Sequence, residues 1–362
     1  MESKLKKTWP ALAASLVMLT SVASAADDMQ VRNLENRVSA LEQRKGANGM
    51  INPPARPVVR DGIDLWVQAE ALYMHTSEDG LAYGIKNNSG TGLDGRVKNV
   101  GYDWDWGFRL GAGYNLPHDG WDMLLNWTWF RTHEKKEEDT EANQVIWQTL
   151  TNPANGPATV TARSADGHAR LHLNFLDFEM GREFFVSKWL TLRPFVGGRG
   201  AWLNRSFNFE YNLNANVGAI TEAEGHNHNR FRGGGLRTGL NSQWGLGSGW
   251  SFFGDLAFSL IYGTQRIHAH QETDPNDNRI EHIHNSWTIA RPMMDLALGL
   301  RWDHLFYSDA YRIRLQLGWE QHTLWGFNKD MNFVSSTAQG KYTFNQGDLT
   351  MHGLSLQARF DF

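Results

Sequence analysis

The chain has 362 residues, 35 Lys plus Arg against 39 Asp plus Glu, a formal net charge of −4 and no cysteine. A mildly acidic chain argues against nucleic acid as a partner, and without thiols neither disulfides nor thiolate–metal chemistry is available. Sixteen Trp, 19 Phe and 36 Gly beside only 10 Pro, with negative mean hydropathy, do not describe a helical membrane protein but suit a membrane barrel, whose lipid-facing residues are only every second one.

Lys4, Lys6 and Lys7 precede an apolar run from Ala11 to Leu19 and small residues at Ala23 and Ala25. This is the charged start, apolar middle and cleavage site of a signal peptide over residues 1–25, and the run is shorter than the ~20 residues that span a bilayer. Cleavage leaves 32 basic against 38 acidic side chains. Over residues 26–44, Val31, Leu34, Val38 and Leu41 fall at alternating spacings of three and four, the a and d positions of a short periplasmic coiled-coil helix. Arg37 and Glu42 sit where an arginine reaches a neighbouring helix's glutamate in three-stranded coils, so a homotrimer is expected. Two heptads alone are marginal in water, and a frayed amphipathic tail is the alternative. Residues 45–61, with Gly46, Gly49, Pro53, Pro54 and Pro57, read as a linker.

From residue 62 to 362 the period becomes two. Ile63, Leu65, Val67, Ala69, Ala71 and Tyr73 share one face. Tyr102, Trp104, Trp106, Phe108, Leu110, Ala112 and Tyr114 share another, and a return strand presents Trp121, Met123, Leu125, Trp127 and Trp129. Similar hairpins run over 170–203, 233–262 and 289–319. The last strand alternates Leu354, Leu356, Ala358, Phe360 and Phe362 with Ser355, Gln357, Arg359 and Asp361. Phe360 and the terminal Phe362 resemble the signal read by barrel-assembly machinery. The fold class is therefore all-β: a closed antiparallel transmembrane β-barrel of about ten strands. Four short turns near 117, 187, 247 and 307 alternate with five long polar connections, 76–100, 133–167, 204–232, 264–285 and 326–348, expected outside the cell. Phe207, Phe209, Tyr211 and Leu213 make twelve strands the alternative, although extension of existing strands above the membrane accounts for them. Ten of the tryptophans lie on the apolar faces, several near strand ends, as expected where indole meets a membrane interface and the partner is outer-membrane lipid.

No catalytic constellation is present: there is no nucleophile elbow, phosphate-cradling loop or H-E-x-x-H, so neither an enzyme nor a cofactor is expected. Fourteen charged residues fall on inward-facing positions: Glu70, Asp103, Asp105, Arg109, Arg193, Arg199, Arg237, Asp255, Asp295, Arg301, Arg312, Arg314, Glu320 and Arg359. They are the expected pore-lining set, where rings of charge set ion preference. The alternative is a salt-bridged plug, because a ten-stranded barrel is little wider than the eight-stranded ones that side chains fill. Three His-x-His pairs, His226 and His228, His268 and His270, His282 and His284, lie in the outer segments. Each puts two imidazoles on one side of an extended chain, but no ligand count or geometry follows from that, so no metal is assigned.

Three stretches carry a resemblance: Trp66 to Tyr73 with Glu78-Asp79-Gly80-Leu81, Leu176 to Glu183, and Leu192 to Gly197 through Gly200-Ala201-Trp202. They look like the Legionella major outer membrane protein family, which has relatives in chlamydia-like bacteria, over most of residues 62–362. The resemblance implies a pore-forming outer-membrane protein with a surface role in host contact. The family's cysteine cross-linking of the envelope does not carry over, since this chain has no cysteine. The expected function is a porin-like pore for small hydrophilic solutes or ions. The rival is a structural or adhesive protein with a filled barrel and surface-exposed loops.

Overall fold

The computed structural model describes residues 55, 59, 62–88, 94–117, 119–150, 161–217, 220–273, 278–333 and 341–362. The expected signal peptide, the coiled-coil residues Val31 to Glu42 and most of the linker lie outside the described residues.

Ten long strands are joined in a ring: β1 (Leu65–Glu78), β4 (Trp104–Asn115), β5 (Trp121–Asp139), β7 (Thr161–Arg182), β9 (Leu190–Val217), β10 (Ile220–Gly247), β11 (Trp250–Thr273), β12 (Asn278–Phe306), β13 (Tyr311–Phe333) and β14 (Tyr342–Asp361). Every neighbouring pair is antiparallel, and β1 pairs with β14 from Trp66↔Asp361 to Glu78↔Leu349, so the first and last strands close the ring. Closure satisfies all ladder hydrogen bonds internally, which a hydrocarbon environment demands. Three short strands, β2 (Ala82–Asn87), β3 (Gly95–Asn99) and β6 (Val145–Gln148), form a flap attached to the outer end of β7, and β8 (Phe184–Phe185) pairs with β9. The ring confirms ten strands, with the segment from Phe207 to Leu213 continuing β9.

Turns at one end are tight. Ser248 and Gly249 link β10 to β11 with φ of 51° and 82°, and their flanks Gly247 and Trp250 pair directly. Two successive positive φ values belong to the turn whose twist matches a hairpin. The other end reaches far beyond any bilayer. The 28 residues of β10 run roughly 90 Å along the strand at ~3.3 Å per residue, and the usual 35–45° tilt leaves about 70 Å of height against an apolar band of about 25 Å. The connections expected as long loops are thus largely strand: β5 continues to Asp139, and β9 and β10 leave little between Val217 and Ile220.

The alternation changes phase along a strand, which is why these extensions read as loops. Near the tight turns, the outward residues are apolar and exposed, as with Leu256, Phe258, Leu260 and Tyr262 on β11, while the polar residues, Ser251, Asp255 and Ser259, fall on the inward phase. Further out, the outward residues become polar and the inward ones apolar: Leu203, Phe207, Phe209 and Tyr211 on β9 are all buried. The solvent outside has changed from lipid to water, so the wall has turned its apolar face to the interior. Tyr102 shows the same reversal. Expected on the lipid face with Trp104, it precedes β4, is buried, and its hydroxyl donates to Glu78 Oε2 at 3.2 Å.

Candidate functional site

The interior has three levels. Nearest the tight turns lies a cavity of about 170 Å³, large enough for several waters on the measure that one needs about 10–15 Å³. Twelve of the fourteen expected lumen charges line it: Glu70, Arg109, Arg193, Arg199, Arg237, Asp255, Asp295, Arg301, Arg312, Arg314, Glu320 and Arg359. Asp103 and Asp105 do not. Asp103 precedes β4 and is exposed, and Asp105 sits opposite Met74 near the outer end of β4, beyond the cavity. β4 begins only at Trp104, so Asp103 falls outside the strand, while Asp105, level with Met74, stands above the cavity rather than in it.

The charges are tied across the lumen. Glu70 of β1 accepts from Arg109 Nη1 of β4 at 2.6 Å, and Arg109 Nη2 reaches Glu320 of β13 at 3.0 Å. His322 bridges Glu320 and Asp295, with ring nitrogens 3.1 and 2.7 Å from their carboxylates. Asp295 of β12 meets both Arg237 of β10 and, at 2.9 Å, Arg199 of β9. Arg199 holds Asp177 through two bonds of 2.6 and 2.7 Å. Glu179 of β7 joins Arg237 to Arg193, each at 3.2 Å, and Arg193 closes on Asp122 of β5. Below, Asp303 is shared by Arg312 and Arg314, while Asp361 takes Arg359 and Arg312. Arg301 instead meets amides, Gln316 and Gln243. Eight arginines and eight carboxylates line the cavity, a balance that gives the chamber no strong ionic preference. Among the described residues Asp255 Oδ1 is buried without a hydrogen-bond partner, but most of the lumen arginines are met by acids outside the expected set: Asp122, Asp177, Glu179, Asp303 and Asp361, all on inward positions. Counting acids and bases together along each inward face would have found them.

Above the cavity lies an apolar layer. Leu72, Met74, Phe130, Leu173, Phe175 and Met351 enclose a second space of about 20 Å³ whose floor is Arg109, Arg199 and His322. All six are at most 5% exposed and continue into one cluster with Leu203, Phe207, Phe231, Ile261, Met293 and Phe327. Side chains thus fill the lumen here as in small barrels.

The third level is an ionic strut inside the extension. Arg205 of β9 has its side chain fully buried and pairs with Glu78 of β1 at 3.0 Å and Asp330 of β13 at 2.7 Å, while Nη2 donates to Asn328 Oδ1 at 2.8 Å. Burial pushes the Glu78 carboxyl up although Arg205 draws it down. None of these residues was expected, because the segments that carry Arg205 and Asp330 read as loops.

Outside the wall, the six expected histidines come together in two registered rows, His226–His270–His282 and His228–His268–His284. The His268 and His284 rings lie 4.3 Å apart, and His282 and His284 share a contact between Nε2 atoms at 2.5 Å. Among the described residues no three or more His, Asp or Glu side chains are grouped so as to hold a metal ion. The charged residues 133–139 continue β5 and hold the flap, since Glu138 takes Lys86 and Lys98 at 2.7 Å each. Phe360 faces outward and stacks on Tyr311, while Leu65 and Phe362 exchange backbone hydrogen bonds of 3.2 and 3.0 Å.

A closed ten-stranded ring with an apolar outer band and a polar lower interior defines an outer-membrane β-barrel protein. More particularly, residues 56–362 match the family described as Legionella pneumophila major outer membrane protein precursor, and the chain belongs to that family. Its place is the bacterial outer membrane, with lipid around the band. The short turns then face the periplasm and the extensions face out. No curated protein matches it. Among solved structures it is similar to the outer membrane protease OmpT of Escherichia coli, at 8% identity over 85% of this chain and 99% of that one, TM-score 0.42. It is also similar to a FadL homologue of Pseudomonas aeruginosa, at 8% identity over 83% and 91%, TM-score 0.32. A third likeness is a major outer membrane protein of Thermus thermophilus, at 12% identity over 82% and 99%, TM-score 0.29. Such distant likenesses say nothing of what this chain does.

Proposed function

We propose that the protein is a closed barrel that acts at the cell surface, displaying its long strand extensions and loops for contact with the surroundings, host surfaces included. The observation that carries this is the filled lumen: a continuous apolar layer above the polar cavity, braced further out by the buried Arg205 strut. An open diffusion pore needs a wet path through that layer, and a dry constriction of leucine, methionine and phenylalanine opposes ions.

The polar cavity favours a second reading, a narrow porin-like channel for small hydrophilic solutes or ions in which the apolar layer is the gate. Planar-bilayer recording on folded protein separates the two. The surface role predicts a silent membrane together with saturable binding of the protein to host-cell surfaces. A steady conductance at high protein that survives repurification would overturn it in favour of the channel. The homotrimer built on Val31, Leu34, Arg37, Val38, Leu41 and Glu42 belongs to the same proposal, as does recognition of Phe360 and Phe362 by barrel-assembly machinery. Cross-linking in native membranes tests the first and deletion of Phe362 the second.

A further inference from the structure

Inside the barrel, most arginines find a carboxylate. Along one stretch of the outer wall, Arg131 on β5, Arg170 on β7, Arg230 and Arg232 on β10, and Arg266 on β11 are all exposed, and among the described residues none of these five has a carboxylate within ion-pair distance. Their position follows from the ladder. Trp129, Asn174, Trp202, Arg232 and Thr264 form one registered row, and Arg131, His172, Asn204, Arg230 and Arg266 form the next. Arg170 lies one outward position further along. On every one of these strands the residues on the other side of the first row are the exposed apolar band, with Trp127, Leu176 and Tyr262 adjoining it. The arginines therefore occupy the level at which an outer-membrane protein leaves hydrocarbon and meets headgroups.

Two features mark this strip as built for an anion. Arg230 and Arg266 stand directly opposite each other, a like-charge pair that costs stability unless a counter-charge lies between them. Further out the sign reverses: Glu137, Asp166, Glu210, Glu224 and Glu272 make up a registered acidic row, separated from the arginines by two rows that hold the histidines. Burial and neighbouring cations hold His228 and His268 below the ordinary imidazole value, so at neutral pH the positive charge of the strip is carried by the guanidinium groups. A planar guanidinium gives a phosphate two parallel N–H donors, and Leu236 and Leu240 below Arg232, with Phe258 and Leu260 below Arg266, offer a wall for acyl chains.

We propose that this strip binds the phosphate groups of the phosphorylated glycolipid of the outer leaflet, lipid A, with its acyl chains lying on the apolar band beneath. The inference is independent of whether the lumen conducts. A lipid held at several strands at once ties the protein into its own leaflet and neutralises a charge that the fold leaves uncompensated.

The test uses the folded full chain in a neutral detergent and follows binding of bis-phosphorylated lipid A by native mass spectrometry, with heat-resistant gel mobility as the check on folding. Lipid A should bind at least about tenfold more tightly than its fully dephosphorylated form, and the preference should fade with salt. The R230Q/R266Q pair should lose that preference and R230K/R266K should keep most of it. The comparison between the two lipids needs no variant, so a misfolded mutant leaves the idea testable. Equal binding of both lipids overturns it. Equal binding of phosphatidylglycerol in place of lipid A reduces the strip to a generic anionic surface, and full competition by millimolar inorganic phosphate reduces it to a free-phosphate site; either result overturns the proposal.

Discussion

Removing the Arg205 guanidinium should cost more than removing any outward-facing charge. The Arg205 side chain is fully buried, and its partners Glu78 and Asp330 are 0% and 2% exposed at their side chains, so Arg205→Ala leaves two carboxylates in a dry interior without their cation. Breaking a buried pair in this way costs about 3–5 kcal/mol. At an m-value near 3 kcal/mol/M that is a drop of roughly 1–2 M in urea midpoint, read by tryptophan fluorescence on protein refolded in phospholipid vesicles. The triple variant Arg205→Met, Glu78→Gln, Asp330→Asn keeps the volume and removes all three charges, so it should recover most of the loss. The pH dependence has a fixed sign. Burial already holds the Glu78 pKa above its unfolded value, and loss of Arg205 raises it further, so the Arg205→Ala penalty should be small below about pH 4.5 and grow as the pH rises. A single variant as stable as the parent at pH 8, or a triple variant as damaged as the single, would refute the strut.

Leu256 lies outward at mid-band on β11 and is 38% exposed, so Leu256→Arg should cost about 2–4 kcal/mol in the same vesicle assay; a cost below about 1 kcal/mol would place that residue away from lipid. A Cβ on Gly235 would stand 1.9 Å from the Leu260 carbonyl oxygen, whereas one on Gly198 meets only a carbonyl at 3.5 Å. Gly235→Ala should therefore lower the yield of heat-resistant folded barrel while Gly198→Ala does not, and equal yields would contradict the register between β10 and β11. Glu210 is held at about 7, first by its hydrogen bond with Glu222, then by burial and the charges of Glu222, Asp166 and Glu224. A carboxyl raised in the folded state contributes stability below its unfolded pKa and loses it as pH climbs through the folded one. Hydrogen-exchange protection of the β9–β10 extension, corrected for intrinsic rates, should fall between pH 5 and 8, and Glu222→Gln should flatten that fall.

The membrane strands were legible because one solvent, lipid, acts on one face: Trp104 to Tyr114 and Leu354 to Phe360 alternate cleanly, and the ring of ten follows. Most of the cavity was legible for the same reason, since Glu70, Arg109, Arg193 and the others fall on the inward phase. What could not be read was the partnering, because which acid faces which base across a lumen is set by shear and barrel size, not by sequence spacing. Most of the extensions read as loops because polarity is the usual mark of one; only the segment from Phe207 to Leu213 reads as a strand carried on above the membrane, as it is in β9. In β9, Phe207, Phe209 and Tyr211 do alternate, but in the phase opposite to Val196 and Trp202, and a change of phase within one strand is a signal only once two solvents are allowed. Asp103 and Tyr102 were misplaced by carrying the lipid-facing phase one turn too far.

That reversal of phase has a consequence for how these strands find their places. A strand exposed to a single solvent can trade a slipped register against a partial loss of burial. A strand such as β9, pulled through a one-residue slip, would put Arg193 and Arg199 into the acyl chains at one end and present Phe207 and Phe209 to water at the other. The two errors add, and no compensating shift corrects one without keeping the other. The long strands therefore carry their own proofreading, and a hairpin that has aligned its membrane half has already aligned the half that stands outside the cell.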